Sequence, residues 1–556
     1  MKFNKLIIED FRGLKGTSNA IEFADSNIIF LIGKNNVGKS TFLKAYEFFT
    51  NPKQMASRED FYNYNTNNPI CIEGWFTKED EDENDDELKG KAKNIEPDWL
   101  NKWVDQSGII KVRKRWSIAG GLFEKQTHSP TEGKWVPNGF GGLDTLFSKY
   151  APTPITINAM EDQSTLEEKV NKLIQDNFIK TIRTEQAELY QQITEKIKEL
   201  QNCITTSDAV EQLNTGLNAN FQKTFSDLTL KIQANKDENI KIEDAFKKNH
   251  TVTVIKANSD RTESFLQNGH GVIRQALFNF LAFLKENREG TKKEYLILFE
   301  EPELFLHPEV AFKLRESLYN LAENSPYQII CATHSPLMID ISKPHSSLIR
   351  ITKDDDETTN IHQVGENIFG KDEQQRQRVQ MINRFNPHIC EAFYADKVLL
   401  VEGDTESIVY RDLLERFYPT EEVFVLNTGS KNNFPFFQEI LTAFRIEHYA
   451  IHDTDTEFNP DQSRNSAWSL NQTIWDHITT ANTLKPGLAR RYVHTTNFET
   501  AHNIQLSHGK DKPLKAFQYV STITVNEPIP DCLKWLNDIL GDKVINHDMD
   551  YINGAN

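Results

Sequence analysis

The run Ile28-Ile29-Phe30-Leu31-Ile32-Gly33-Lys34-Asn35-Asn36-Val37-Gly38-Lys39-Ser40-Thr41 leaves this chain few folds to choose from. Five apolar residues predict a buried strand. The next eight, Gly33 to Ser40, have the spacing G-x-x-x-x-G-K-[ST], and Phe42 to Phe49 behind them reads as a helix. Strand, glycine loop and helix in that order make a phosphate cradle. Glycines let backbone N–H groups approach phosphate oxygens, the Lys39 ammonium reaches the β- and γ-phosphates, and the Ser40 hydroxyl is placed to ligate Mg2+. Gly33, Asn35, Asn36, Gly38, Lys39, Ser40 and Thr41 are therefore candidates for binding ATP with Mg2+.

The same chemistry resumes far downstream. Tyr295 to Phe299 is a continuous apolar strand that ends at Glu300-Glu301-Pro302-Glu303-Leu304-Phe305-Leu306-His307-Pro308. Glu300 is expected near Mg2+ through water, and Glu301 is placed to polarise an attacking water. Gln328 to Ala332 predicts another buried strand, delivering Thr333-His334-Ser335-Pro336. Between the two halves, residues 161–250 lose strand signals. Leu189, Ile193, Ile197 and Leu200 form one narrow apolar stripe on a charged helix, which suggests a helical insertion; packing within its own arm and against another subunit are both open, and dimerisation is favoured because so narrow a stripe buries little alone.

Residues 50–160 are less legible. Asn68 to Phe76 predicts a strand, the acidic run Glu79 to Glu87 a solvated loop, and Trp99 with Trp103 a helical turn packed in a core. Lys111, Arg113, Lys114 and Arg115 interleave with Ile109, Ile110 and Val112, so a strand with a solvated charged face is favoured over a DNA contact.

After a polar connection, Thr352 to Arg384, comes a second α/β pattern. The apolar run Val398 to Val401 stops at Glu402-Gly403, Glu406 follows, and Ile408, Val409, Leu413, Leu414 and Phe417 mark an amphipathic helix. Glu421 to Leu426 is the next strand, with a turn at Asn427 to Lys431 and a helix at Phe434 to Phe444. Glu447 to His452 is a third strand, closing on Asp453-Thr454-Asp455. Acids at the ends of parallel strands stand where α/β sheets place their sites. Carboxylates about 4 Å apart repel by roughly 4 kcal/mol at an effective dielectric of 20, so such a cluster must protonate or hold cations. Hard oxygen ligands suit Mg2+ or Mn2+, and two such ions suit phosphodiester chemistry.

Composition narrows the setting. A chain of 556 residues with 38% apolar content should hold about two to four domains. It has no run of 18 apolar residues, no signal peptide in MKFNKLIIEDF and five scattered cysteines, so a soluble, reducing, cytoplasmic setting without membrane contact is expected. A net charge of -18 argues against coating nucleic acid non-specifically but leaves DNA open as a substrate for a local groove.

Several segments resemble known families. Glu9-Asp10-Phe11-Arg12-Gly13 looks like the Phe-Arg element ahead of the phosphate loop in SMC-like and ABC-type ATPases. E-E-P-E-x-x-L-H-P resembles the OLD-type branch of the ABC ATPases, with Glu300 where Asp is usual, and that resemblance gives His334 the role of γ-phosphate switch. Ser264 to Gly271, SFLQNGHG, takes the place of the signature loop without its Ser-Gly-Gly-Gln wording.

Strand-Glu, strand-turn, strand-Asp-x-Asp resembles a TOPRIM domain, which implies metal ligation by Glu402, Glu406, Asp453 and Asp455. Asn497-Phe498-Glu499 is similar to the segment that supplies a further metal-binding acid, and Glu457, two residues past Asp455, lies close enough to contribute as a metal ligand. Lys510-Asp511-Lys512-Pro513 resembles a Lys-Pro element whose lysine neutralises transition-state charge, Lys512 being favoured over Lys510.

The whole order resembles the OLD (overcoming lysogenization defect) family nucleases. The fold expected is α/β: an N-terminal ABC-type P-loop ATPase (1–160 and 251–352) interrupted by the helical insertion (161–250), a connection (353–390), and a C-terminal TOPRIM Rossmann-like domain (391–556). Membership implies a homodimer or larger assembly and an ATP-regulated, Mg2+- or Mn2+-dependent DNA endonuclease of anti-phage defence. Partners implied are a helicase, as in Gabija defence, or a retron reverse transcriptase with its DNA-RNA product. The competing reading is a DNA-sensing ATPase whose TOPRIM domain only binds or supports.

Overall fold

The structure is a computed structural model that describes residues 1–23, 26–77, 101–137, 151–162, 164–169, 186–205, 215, 253–255, 262–264, 269–286, 294–323, 325, 327–341, 343, 348–364, 377, 381, 388–504, 512–526 and 528–541. The chain forms a large unit, Met1–Ala159 with Lys285–Asn556, and a smaller one, Met160–Leu284.

The large unit begins with β1 (Lys2–Glu9), β2 (Asn19–Glu22), β3 (Ile28–Ile32), α1 (Lys39–Thr50), β4 (Ile70–Thr77), β5 (Ile109–Trp116), β6 (Glu124–Ser129), β7 (Lys134–Pro137) and β8 (Thr153–Ile157). All five residues of β3 are buried, as a strand covered on both faces requires. β5 instead alternates. Ile110, Val112, Lys114 and Trp116 point inward, while Lys111, Arg113 and Arg115 share the other face. The basic cluster is therefore split: Lys111 lies 4.2 Å from the Trp75 ring and Arg113 4.2 Å from that of Trp135. Lys114, expected on the solvated face, is buried because the two-residue period puts it there, and its Nζ donates to the Asn51 carbonyl at 3.1 Å.

In the smaller unit, α2 (Ala187–Thr205) exposes Leu189 and Ile193. β9 (Thr253–Ile255) and β10 (Thr262–Ser264) pair antiparallel with each other, and α3 (His270–Glu286) buries Ile273, Leu277 and Leu281. The expected insertion, 161–250, ends earlier than this unit does, since β9 and β10 form a sheet of their own. The acidic run, Trp99, residues 265–268 of the signature-like loop and Lys510 lie outside the described residues.

The large unit resumes with β11 (Tyr295–Glu300), α4 (Pro308–Ala322), β12 (Tyr327–Ala332), β13 (Leu348–Lys353) and β14 (Thr359–Val364). One sheet has the order β2-β1-β4-β5-β6-β7 and is antiparallel; the other runs β14-β13-β3-β12-β11-β8, parallel except at β14. A shared core including Phe3, Phe42, Tyr46, Phe76, Leu298, Ile330 and Ile351 joins them. β14 corrects the expected connection from residue 353: Thr359 to Val364 pairs with β13 and closes the sheet edge.

The C-terminal part carries β15 (Lys397–Val401), α5 (Asp404–Phe417), β16 (Val423–Asn427), α6 (Phe434–Ala443), β17 (Glu447–Asp453), α7 (Ser466–Leu484), β18 (Ala489–His494), α8 (Phe498–Ala501), α9 (Lys512–Val520) and α10 (Asp531–Leu540). Its four strands are parallel in the order β16-β15-β17-β18. Leu399, Val401 and Ile451 pack with Val409, Leu413 and Trp535 on one face. Among the described residues no helix is long and apolar enough to cross a membrane.

The two α/β parts of this unit touch through charged groups. The buried Arg350 of β13 donates to the carbonyls of Phe393 (3.1 Å), Ala395 (2.9 Å) and Phe444 (3.1 Å) and to Asp396 Oδ1 (3.1 Å). Lys34 Nζ lies 2.7 Å from both Asp396 Oδ2 and Glu422 Oε2.

Candidate functional site

The phosphate loop is held by close backbone packing. Gly33 has φ 143°, and a Cβ there would stand 2.2 Å from the Ile351 carbonyl on β13; Gly38, at φ 106°, caps the N-terminus of α1. The loop therefore aims its N–H groups past the end of a 12-residue helix, where an anion is favoured. Lys39 is buried, and its Nζ donates to Gly33 O at 2.8 Å and Lys34 O at 2.7 Å. Burial, only partly countered by Glu301 and Glu303, pushes its ammonium down to about 8.

β12 lies between β3 and β11, so His334 at its end faces both the loop and the acids. His334 Nδ1 is 3.4 Å from Lys39 Nζ and its Nε2 is 3.5 Å from Glu301 Oε1. Burial and Lys39 together lower its pKa below the ordinary histidine value. Glu301 has φ 45°, a left-handed backbone that turns it out of β11 toward His334. Glu300 Oε2 accepts from the Ala159 N–H at 3.4 Å. Sequence reasoning gave no role to Glu303, yet one of its oxygens braces the histidine loop, accepting from Thr333 Oγ1 (2.7 Å), His334 N (3.1 Å) and Ser335 N (3.1 Å).

The second site forms where β15 and β17, neighbours in the sheet, end together with Val401 opposite Ile451. The chain passes from β15 outward to β16 and then back across to β17, which makes this pair the topological switch point. Glu402 follows β15 directly, and Asp453 is the last residue of β17. Each keeps one buried oxygen, Glu402 Oε2 and Asp453 Oδ1, with no hydrogen-bond partner. Burial, then the charges of Glu406 and Asp455, push Glu402 up to about 7; burial, then Glu406, Glu402, Glu499 and Asp455, push Asp453 up to about 9. Glu406 is buried in the first turn of α5, its Oε2 accepting from Gly403 N at 3.2 Å, and burial raises it too.

Two lysines flank the acids. Lys512, at the start of α9, places Nζ 3.0 Å from Oε1 of the buried Glu499. Lys431 places Nζ 2.7 Å from Asp455 Oδ2.

These donors fit hard divalent cations: all are carboxylates, mutually repelling, with unpartnered oxygens on two adjacent strands. Among the described residues no group of three or more His, Cys, Asp or Glu side chains is already closed around a point for an ion. The acids stand near one another without a finished coordination shell.

Residues 1–339 match the AAA ATPase domain, and residues 393–455 match the TOPRIM domain of overcoming lysogenization defect-like proteins. The chain belongs to the AAA ATPase domain family and carries an OLD-like TOPRIM domain behind it. It is 26% identical over 475 residues to the Old nuclease of Escherichia phage P2, covering 81% of this chain and 76% of that one. To Endonuclease GajA of Bacillus cereus (strain VD045) it is 22% identical over 503 residues, covering 84% and 77%. To the OLD nuclease of Thermus scotoductus it is 26% identical over 261 residues, spanning about half of that relative, 47% of its length.

Within this chain, Glu402, Glu406, Asp453, Asp455 and Glu499 are brought into one electrostatic cluster, and Glu300, Glu301 and His334 stand beside the phosphate loop with Lys39. Asn35 and Asn36 are exposed on the loop, and Ser40 and Thr41 open α1. Glu457 is set apart: exposed, with Arg464 at 3.8 Å as its ion-pair partner. Lys431 is the site residue that sequence reasoning passed over. The available signal was Gly429-Ser430-Lys431 at the end of β16, a lysine in a tight turn beside two acid-bearing strands.

Proposed function

We propose that this chain is an ATP-regulated, Mg2+- or Mn2+-dependent DNA endonuclease of the OLD family acting in anti-phage defence. The observation that carries the reading is the pair of unpartnered buried oxygens, Glu402 Oε2 and Asp453 Oδ1, on acids raised to about 7 and 9. Burying carboxylates without partners is costly unless cations complete them. Counting Glu402, Glu406, Asp453, Asp455 and Glu499 against Lys431 and Lys512 leaves three negative charges; two divalent ions and one phosphodiester bring the site to neutrality.

When bound, such ions supply an activated water and stabilise the leaving oxygen. Glu402 and Asp453 would hold them, with Glu406, Asp455 and Glu499 completing the set. Lys512, ion-paired with Glu499, would offset charge developing on the phosphate. In the ATPase part Lys39 would take the β- and γ-phosphates, Ser40 and Glu300 the Mg2+, Glu301 the attacking water and His334 the γ-phosphate.

Regulation is supported by the contact between the two parts. Lys39 Nζ now donates to Lys34 O, and Lys34 Nζ holds Asp396, the residue before β15, whose end carries Glu402. Nucleotide phosphates would draw Lys39 away from that carbonyl and alter the footing of β15. These pairs are partly exposed, so Lys34→Ala should change the effect of ATP on cleavage only about three- to fivefold.

The test is plasmid incubation with Mg2+ or Mn2+, with and without ATP. Nicking or linearisation that disappears in Asp453→Ala and Glu402→Ala, with ATP binding intact, supports the reading; nicking that survives both changes refutes it. The second reading, a DNA-sensing ATPase, draws on the lack of a preformed three-ligand group among the described residues. It predicts DNA-stimulated phosphate release without cleavage. A homodimer, and a helicase or a reverse transcriptase with its DNA-RNA product as partner, follow from the family resemblance.

A further inference from the structure

Lys431 sits at the end of the turn after β16 with its side chain only 2% exposed. Its Nζ is 2.5 Å from Asp453 O, 2.7 Å from Asp455 Oδ2 and 3.4 Å from Thr454 O. All three acceptors belong to the segment that presents Asp453, at the end of β17, and Asp455 just past it. Asp455 has φ 60°, an uncommon left-handed backbone for a residue with a Cβ, so this segment needs support to keep its shape. Some comes from sheet-like bonds, Thr454 N to His494 O and Asp455 N to Thr496 O, both 3.0 Å. Asn471 Nδ2 donates to Thr454 O at 3.0 Å and Thr496 N to Thr454 Oγ1 at 2.7 Å, and a buried ammonium adds a charge that none of these bonds carries.

We propose that Lys431 is the resident cation of the carboxylate site, a positioning residue that fixes Asp455 and permanently offsets one negative charge of the cluster. It commits Asp455 Oδ2 and leaves Asp455 only its other oxygen for a ligand. A divalent ion is thereby directed toward the unpartnered oxygens of Glu402 and Asp453, and the cluster stays folded before any ion arrives. Lys512, paired with Glu499, keeps 45% of its side chain exposed, whereas Lys431 is buried.

This rests on the nuclease reading but separates from it in the test. Mn2+ binding to the full-length protein would be measured by calorimetry, beside plasmid nicking as a function of Mn2+. A clamp that only holds the backbone and a clamp that also supplies charge differ in sign. Lys431→Met leaves the site one positive charge poorer, so Mn2+ should bind about threefold tighter while nicking at saturating Mn2+ falls at least about tenfold. Lys431→Arg should keep Mn2+ affinity within about twofold. Asp455→Asn should weaken Mn2+, and Lys431→Met with Asp455→Asn should return affinity toward wild type, because the charge count is restored.

Weaker Mn2+ binding in Lys431→Met that the second substitution does not restore, or unchanged nicking, overturns the inference. If Lys431→Met does not fold, judged by lost ATP binding, the Lys431→Arg titration decides: wild-type-like affinity supports it, and lost Mn2+ binding overturns it. Wild-type protein that binds Mn2+ without cutting DNA would defeat the nuclease reading and still leave these titrations to judge Lys431.

Discussion

The phosphate loop and the carboxylate cluster solve opposite electrostatic problems with the same device, burial. At the loop, Lys39 is pushed down to about 8, and its ammonium has taken the carbonyls of Gly33 and Lys34 in place of a ligand. At the cluster, Asp453 is pushed up to about 9, and its Oδ1 has taken nothing. One site is self-satisfied and must be opened by its ligand; the other is unsatisfied and must be completed. The loop can thus fold without nucleotide at little cost, whereas the cluster carries strain until cations relieve it.

The largest effect expected from that difference is at the cluster. Asp453→Asn or Glu402→Gln should lower metal-dependent nicking by about 1,000-fold or more, with ATP affinity unchanged, as gel-based nicking and nucleotide-binding titrations would show. Asp453→Asn should at the same time raise the thermal midpoint of the metal-free protein near pH 7, since folding must there protonate an Asp453 that the unfolded chain leaves ionised, and abolish part of the stabilisation Mn2+ gives. A lowered midpoint would mean that the cluster is satisfied by groups other than cations, and the contrast with the loop would fail. Next in size, Glu301→Gln should reduce ATP hydrolysis by about 100-fold while ATP still binds. Hydrolysis at the wild-type rate would remove Glu301 from its role and leave His334 facing a bystander.

Much of this was legible because its information is local. β3, β11 and β15 are apolar runs that end on their functional residues, so strand, turn and chemistry are read together at Gly33, Glu300 and Glu402. What could not be read depends on distant partners. Thr359 to Val364 is polar enough to pass for a connection and becomes a strand only because β13 offers an edge. Lys431 is unremarkable in its own turn, and its role exists because β17 ends beside it, at Asp453 to Asp455. Glu457, close in sequence to Asp455, is carried away by the excursion that closes where Phe458 pairs with Arg464.

The smallest expected effect is the one that sharpens the comparison most, because it concerns a buried, shifted group with no ligand to wait for. Lys114 faces inward from β5, 3.9 Å from the Phe123 ring, and donates to Asn51 O at the C-terminus of α1, the end where a positive charge is favoured. Burial, with Lys125 adding to it, pushes Lys114 down to about 7, below the ordinary lysine value of 10.5. The unfolded chain then holds a proton on Lys114 that the folded protein releases above pH 7, so its contribution to stability is least near neutrality. That contribution rises with pH until the unfolded lysine also loses its proton. Lys114→Met should therefore raise the thermal midpoint by about 2 °C near pH 7 and by less at pH 9, as melting curves at the two values would show. Neither ATP affinity nor Mn2+-dependent nicking should change. If Lys114→Met instead altered ATP affinity, a shifted pKa at the far end of α1 would report on the phosphate loop, and burial alone would no longer separate a helix cap from a ligand site.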